Sequence, residues 1–307
     1  MINKKPLISI LMNCFNGEKY LKEALESVIQ QTYINWELIF WDNQSTDRSA
    51  MIFKSFEDSR MRYFYSDEFT DLGGARAKAC NFVKGEYLSI LDCDDKWFPN
   101  KLEAQLECLI NSKCGICISN PIYFNSKKRK NLYKKKPPEG KVTKKLIENY
   151  FVVLPTVLLD MKYVRKLDKF FNKHYSHIAD FDLIIRLSTI CEFVYCPKTL
   201  AGWRIHNTNA SFLEKEKFIY EKLKWIKEAR LNYKFRNYLD SINNLEILTK
   251  AEGCNLVRKD FDLKIDDLIN FSGNLRSRLK VYFGFFPFLY KIFTRIKNLI
   301  FFINWNL

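Results

Sequence analysis

A chain of 307 residues, 47% apolar and 28% charged, is too hydrophobic to be disordered and long enough to bury one large core or two modest ones; with 10 Gly and 8 Pro it is neither collagen-like nor linker-rich. Its net charge of +15 is unevenly spread: residues 1–120 hold 14 Lys/Arg against 17 Asp/Glu, and residues 121–307 hold 36 against 18. That split speaks against a nucleic-acid binder and for a carboxylate-bearing half followed by a half that meets an anionic surface or substrate.

Leu7–Met12 is a short apolar run ending in Asn13-Cys14-Phe15-Asn16-Gly17, which predicts a buried strand and a loop. Glu18–Gln31 carries Leu21, Ala24, Leu25, Val28 and Ile29 at helical spacing. Trp36–Trp41 reads as a second buried strand, closed by Asp42-Asn43-Gln44-Ser45-Thr46-Asp47, where Ser45 or Thr46 is placed to cap the next helix. Arg62–Tyr65 reads as a third strand, Gly73–Val83 as a helix, and Tyr87–Leu91 as a fourth strand that runs into Asp92-Cys93-Asp94-Asp95. Asn100–Ile110 is helical, Gly115–Ser119 a strand, and the basic run Lys127–Lys136 before Pro137-Pro138 a loop. Val152–Leu159 reads as a strand, Phe181–Thr189 as a helix, Phe193–Tyr195 and Leu200–Ile205 as two strands, and Phe212 to about Thr249 as charged helix. Strands alternating with helices predict a parallel α/β sheet, with ligands beyond the carboxyl ends of its strands. The polar loops 13–16, 42–47 and 92–95 all follow strands, so they converge there.

Nine cysteines in a chain of this size do not read as a disulfide framework, and Cys114-x-x-Cys117 lacks a second pair at zinc spacing. No secretory signal is legible, and the longest uncharged stretches near the C-terminus, Val281–Tyr290 and Asn298–Leu307, are ten residues each where a spanning helix needs roughly 20. The expectation is a reduced, cytoplasmic protein without a transmembrane helix.

The sharpest chemistry is in Asp92–Asp95. Carboxylates spaced one apart at a strand end reach one hard cation such as Mg2+ or Mn2+, which takes one or two carboxylates while substrate phosphates complete its shell. For the tetrad alone, a capped turn before the helix at Asn100 is an equal alternative.

The surrounding run G-E-Y-L-S-I-L-D-C-D-D-K-W-F-P-N-K-L-E-x-Q-L, Gly85–Leu106, resembles the family 2 glycosyltransferases of the GT-A fold. Further blocks fall in the family's order: Asn16-Gly17-Glu18-x-Tyr20-Leu21 with Ser27-x-x-x-Gln31-Thr32-Tyr33; Asp42–Asp47, similar to D-D-G-S-T-D; Ala75-Arg76, similar to A-R-N; Asp180-Phe181-Asp182-Leu183 with Arg186-Leu187; and Trp203-Arg204-Ile205-His206 with Ser211. The resemblance covers residues 6 to about 212. Asn43, Gln44, Ala77 and Ala179 depart from the family pattern, and Asn43 bears on which base or ribose contact is made.

The resemblance implies a GT-A-like nucleotide-diphospho-sugar transferase domain over residues 1–212, with a mainly parallel central sheet, and a helical extension over 213–307. It implies an inverting, metal-dependent enzyme with a UDP-linked nucleotide-sugar donor. The acceptor would be a surface glycan or lipid-linked saccharide. Asp42, Glu18, Arg76 and Asp92 would bind the nucleotide sugar, Asp94 and His206 the metal, and Asp180 would be the catalytic base; Asp95 would support its loop. Asp182 and Arg186 form an i,i+4 pair of the structural kind. His174 and His177 flank the approach to Asp180. A sugar nucleotidyltransferase would need a glycine-rich basic loop after the first strand, and Met12–Glu18 has one Gly and no Lys or Arg. A basic nucleic-acid binder is opposed by the acidic first 120 residues.

After Asp267 no acidic residue follows, and Arg276, Arg278, Lys280, Lys291, Arg295 and Lys297 are basic. Within Pro287–Ile303, Leu289, Ile292, Phe293, Ile296, Ile300 and Ile303 recur on one helical face. That pattern predicts a tail that lies on an anionic membrane surface and makes the protein peripheral on the cytoplasmic face. The same helix would otherwise pack on the catalytic domain.

Overall fold

The structure is a computed structural model that describes residues 5–256, 261–272 and 275–285. In chain order its elements are β1 (Ile8–Cys14), α1 (Glu18–Ile29), β2 (Trp36–Asp42), α2 (Ser49–Lys54), β3 (Met61–Tyr65), α3 (Leu72–Ala79), β4 (Tyr87–Ile90), β5 (Lys96–Trp97), α4 (Lys101–Ser112), β6 (Ile116–Phe124), β7 (Arg129–Asn131), α5 (Thr143–Glu148), β8 (Leu158–Asp160), α6 (Met161–Val164), α7 (Ala179–Ser188) and β9 (Phe193–Arg204). Then follow α8 (Ala210–Leu213), α9 (Lys215–Leu231), α10 (Leu239–Leu256), α11 (Ile265–Asn270) and α12 (Leu275–Phe285).

Among the described residues all nine strands join one sheet in the order β3-β2-β1-β4-β8-β6-β9-β5, with β7 paired to β6. The first four strands are parallel to one another, as are β6 and β9. β8 runs antiparallel to β4 and β6, and β5 and β7 run antiparallel to their partners. Every residue of β1 and β2 is buried, as expected for parallel strands covered on both faces. On one face Ile8, Ile10 and Met12 pack with Leu21, Leu25 and Val28 of α1 and Leu102, Leu106 and Leu109 of α4. Each such side chain contributes about 1.5–3 kcal/mol by leaving water.

Four local expectations are corrected. Within Val152–Leu159, Pro155 offers no N–H to a ladder, so residues 154–156 form a 3-10 turn and only Leu158–Asp160 pair. The two strands expected at 193–195 and 200–205 are the single β9; its register with β6 slips around Asn120 and Pro121, where proline cannot donate. The basic run is not all loop, because Arg129–Asn131 pair with Ile122–Phe124 as an edge strand. Neither Ser45 nor Thr46 caps α2, which starts after Arg48 with no side-chain cap.

Lys101 is wholly buried. Its ammonium donates to the Val157 carbonyl at 2.9 Å and to the Ser89 hydroxyl, and lies 4.1 Å from the centre of the Trp97 ring. Burial pushes its pKa well below the ordinary lysine value. This motif lysine ties β4 to the segment before β8, directly behind the acidic loop.

The chain divides into two units, Met1–Thr143 with Tyr150–His206, and Lys144–Asn149 with Asn207–Leu307. The division falls six residues before the boundary expected after residue 212 and places Lys144–Asn149 in the second unit. In that unit α9 buries Ile219, Trp225, Ile226 and Ala229, and Ile247, Ala251, Phe271 and Val281 form a small core. Among the described residues no helix is long and apolar enough to cross a membrane. The amphipathic tail expected over Pro287–Ile303 lies outside the described residues.

Candidate active site

The site is assembled at the carboxyl ends of β1, β2 and β4, within the first unit. The loops after β1 and β2 are stapled together. Asn16, in the left-handed region at φ 53°, donates its amide to Ser45 Oγ at 3.0 Å and accepts the Thr46 amide at 2.8 Å. The Gly17 amide donates to Ser49 Oγ at 2.9 Å and the Glu18 amide to Asp47 Oδ2 at 2.9 Å. The Glu18 carboxylate in turn accepts the backbone and side-chain N–H groups of Arg48, which hold its pKa down. Glu18, expected at the donor, is therefore committed to the loop.

Asp42 is likewise engaged within the protein. It is 0% exposed, with Oδ1 accepting the Ser45 amide at 2.7 Å and Oδ2 the Tyr63 hydroxyl at 2.6 Å. Both Asp42 carboxylate oxygens are thus engaged in shaping the strand end and its loop. Asn43, where the family pattern has Asp, donates to the Thr70 carbonyl at 2.7 Å and fastens β2 to the loop before α3. Above these strand ends Phe15 and Phe69 are exposed, with ring centres 4.8 Å apart. Asn13 is 8% exposed and both polar atoms of its amide are enclosed without a partner.

Beside this platform Arg76, presented by α3 and 4% exposed, donates to Asp92 Oδ1 at 2.7 Å. Asp94 Oδ2 lies 2.8 Å from His206 Nε2. Burial and the neighbouring Asp92 charge raise the Asp94 pKa, with His206 opposing them. Asp95 is 2% exposed and accepts the Arg204 amide at 2.8 Å, while Arg204 Nε donates to the Asp94 carbonyl at 2.7 Å. Arg204 also reaches Glu23 and stacks 4.4 Å from the Tyr20 and Phe124 ring centres. Asp95 thus supports the loop, as expected.

The proposed base, Asp180, lies in the first turn of α7 and accepts the Tyr150 hydroxyl at 3.1 Å. Burial raises its pKa; the Arg76 charge and the Tyr150 hydrogen bond oppose the rise. Two residues on, Asp182 and Arg186 pair at 2.9 and 2.7 Å, and Arg186 donates to the Lys169 and Phe170 carbonyls, a structural clasp. His174 is exposed and His177 partly so, between α6 and α7.

The donor set of two carboxylates and one imidazole suits Mg2+ or Mn2+. The Asp92 and Asp94 side chains remain 33% and 30% exposed, so their oxygens are accessible. Among the described residues no group of three His, Cys, Asp or Glu side chains forms a ready cage. The site fits a cation that substrate phosphates help to hold. The sequence reading assigned no role to Tyr150, Tyr63, Asn13 or the Phe15–Phe69 pair. Tyrosines and phenylalanines are common throughout this chain, and only three-dimensional placement separates these from the rest.

Comparison with known proteins adds the following. Residues 9–170 match the Glycosyl transferase family 2 model. The chain is 37% identical over 117 residues to "Putative teichuronic acid biosynthesis glycosyltransferase TuaG" of Bacillus subtilis, covering 38% of this chain and 46% of that protein. It is 32% identical over 155 residues to "UDP-Glc:alpha-D-GlcNAc-diphosphoundecaprenol beta-1,3-glucosyltransferase WfgD" of Escherichia coli, covering 50% and 60%. The chain therefore spans about half the length of these relatives, 46% and 60%. In fold it is similar to S. aureus TarS 1–349 in complex with UDP (TM-score 0.63, 15% identity, 91% of this chain and 87% of that one). It is also similar to the mannosyltransferase PcManGT of Pyrobaculum calidifontis in complex with GDP-Man and Mn2+ (TM-score 0.61, 12% identity, 96% and 85%). The α/β domain is thus of the GT-A type, and with the family match covering more than half of its residues this chain belongs to glycosyl transferase family 2.

Proposed function

We propose that this chain is an inverting, divalent-cation-dependent glycosyltransferase that moves a sugar from a UDP-linked donor to a hydroxyl of a lipid-linked or cell-surface saccharide. The observation that carries this reading is the meeting of three features in one unit: the Arg76–Asp92 pair, the Asp94–His206 pair and a carboxylate, Asp180, whose pKa responds to both Arg76 and Asp92. The UDP-bound TarS fold and the UDP-Glc and diphosphoundecaprenol in WfgD's name support the donor and acceptor classes. The Mn2+ of PcManGT supports the cation.

In this mechanism Phe15 and Phe69 offer their faces to the base, since aromatic stacking tolerates a planar ring there. Asp92, Asp94 and His206 would hold a divalent cation, which would offset charge growing on the departing diphosphate. Arg76 orients Asp92 and adds positive potential on the diphosphate side. Asp180 takes the proton of the acceptor hydroxyl as its oxygen attacks the anomeric carbon on the face opposite the leaving group, which inverts the centre. Tyr150 holds one Asp180 oxygen and so points the other.

The test is a thermal-shift and turnover screen of the full chain against a panel of nucleotide sugars, with Mn2+ and with a chelator. A UDP-sugar should stabilise the protein only with the cation. Asp180→Asn should lower turnover about 10²-fold or more at nearly unchanged donor binding, the usual scale of general-base catalysis. Undiminished turnover in the chelator, or in Asp180→Asn, would remove the metal or the base from the scheme.

A further inference from the structure

The β6–β7 hairpin carries a row of positive charge with no acidic residue from Lys127 to Lys136. Lys127, Arg129, Lys134 and Lys135 are exposed, and none of the four has a carboxylate partner among the described residues. Lysines on an edge strand guard against pairing with another sheet, which accounts for charge on Arg129–Asn131. It does not account for Lys134 and Lys135, which lie beyond the strand.

Both ends of the row lie beside segments that carry site residues. At its start the Ile205 amide donates to the Phe124 carbonyl at 2.8 Å, so the turn that begins at Asn125 lies beside the segment leading into His206. On its return the Tyr133 hydroxyl donates to the Phe151 carbonyl, next to the Tyr150 that holds Asp180. Between these points the Leu132 amide reaches the Pro121 carbonyl and the Tyr133 amide reaches Asn120. Its strand part, Arg129–Asn131, spans about 10 Å at a rise of about 3.4 Å per residue, and charged residues continue beyond it at both ends. Two partly exposed aromatic pairs accompany it: Tyr123 with Trp203 at 5.0 Å, and Tyr133 with Tyr195 at 6.2 Å.

A single diphosphate is too short to engage such a row. A bilayer presents a plane and gains nothing from a line of charge one strand wide that runs between the segments bearing His206 and Tyr150. A saccharide chain with spaced negative charges matches both the length and the mixture, since aromatic faces stack on sugar rings while Lys and Arg pair with carboxylate or phosphate. We propose that the acceptor is an acidic glycan and that the β6–β7 hairpin binds the part of it that trails behind the reacting hydroxyl. The proposal rests on the glycosyltransferase reading and narrows its acceptor.

The experiment titrates the full chain with an oligogalacturonate and with a neutral malto-oligosaccharide of the same length, at low and at moderate salt. The acidic oligomer should bind at least about tenfold tighter, the scale of several exposed charge pairs acting together, and the preference should shrink with salt. The combined variant Lys127→Gln, Arg129→Gln, Lys134→Gln, Lys135→Gln should lose the preference while keeping the nucleotide-sugar thermal shift, which also shows that it is folded. Equal binding of the two oligomers, or a preference that survives in the variant, overturns the proposal. So does binding of phosphatidylglycerol vesicles without binding of the oligogalacturonate, or equally tight binding of a random single-stranded oligonucleotide. Absence of any nucleotide-sugar shift in the unaltered chain would instead strike the glycosyltransferase reading.

Discussion

Asp180 and Tyr150 show how one hydroxyl would tune the proposed base. Asp180 must be ionised to accept a proton, and burial raises its pKa, so turnover should fall as pH drops through a value above that of an ordinary aspartate. The Tyr150 hydroxyl stabilises the ionised form. Tyr150→Phe should therefore move the acid limb of kcat/KM to higher pH, with lower turnover below it and recovery above it. A limb that stays in place in a pH–rate series would show that Tyr150 does not act on the base. At this scale Arg76, Asp92, Asp94, Asp180 and His206 stand out in the sequence because their residue types carry chemistry, and the structure brings Arg76 to Asp92 and Asp94 to His206. Asp42 and Glu18, expected at the donor, make their hydrogen bonds within the loops, a use the sequence does not reveal because a carboxylate that holds a loop and one that holds a ligand have the same letter and the same spacing.

Helix α3 delivers Arg76 to the site only because its first turn can lie very close to a neighbouring segment. A Cβ on Gly73 would fall 2.0 Å from the Tyr175 carbonyl oxygen, and the Leu72 amide donates to Ser176 Oγ at 3.1 Å in the same place. Gly73→Ala must push the helix or that backbone aside, and overpacking of this kind costs about 1–3 kcal/mol. The expected outcome is a lower Tm together with weaker donor binding, since Arg76 lies one turn further on; calorimetry alongside a nucleotide-sugar titration checks both. An unchanged Tm would mean that the segment gives way freely. Among the elements, β1, β2 and β4 were legible because each is an apolar run cut off by polar residues. β5 has two residues and no pattern to read, β7 is hidden in a basic run, and β9 looked like two strands because Pro197 and Lys198 interrupt its hydrophobicity.

For the molecule as a whole, the sheet order matters more than the length of the family match. The match ends at residue 170, yet β9 is the parallel neighbour of β6 and the partner of β5, and Asp180, Arg204 and His206 all lie beyond that point. A fragment of residues 1–170 would expose one side of β6, leave β5 unpaired and bury Asp95 without Arg204. It is expected to lack a cooperative thermal transition and any nucleotide-sugar shift. A sharp transition in differential scanning calorimetry would show that the early strands suffice. The β1–β4 core was legible in the sequence, whereas the insertion of a late strand between earlier ones was not, because pairing order leaves no mark in local periodicity.

The bond between Asp94 and His206 joins residues 112 positions apart. At roughly 5–20 residues per second of synthesis, the acidic loop is made about 6–22 s before its imidazole partner. Through that interval Asp94 and Asp95 stay hydrated, since neither carboxylate can be buried before Arg204 and His206 arrive. The apolar surface around Trp97 and Leu102 waits with them, open to other nascent chains. A ribosomal pause in the stretch of message between these positions should therefore lower the yield of folded protein.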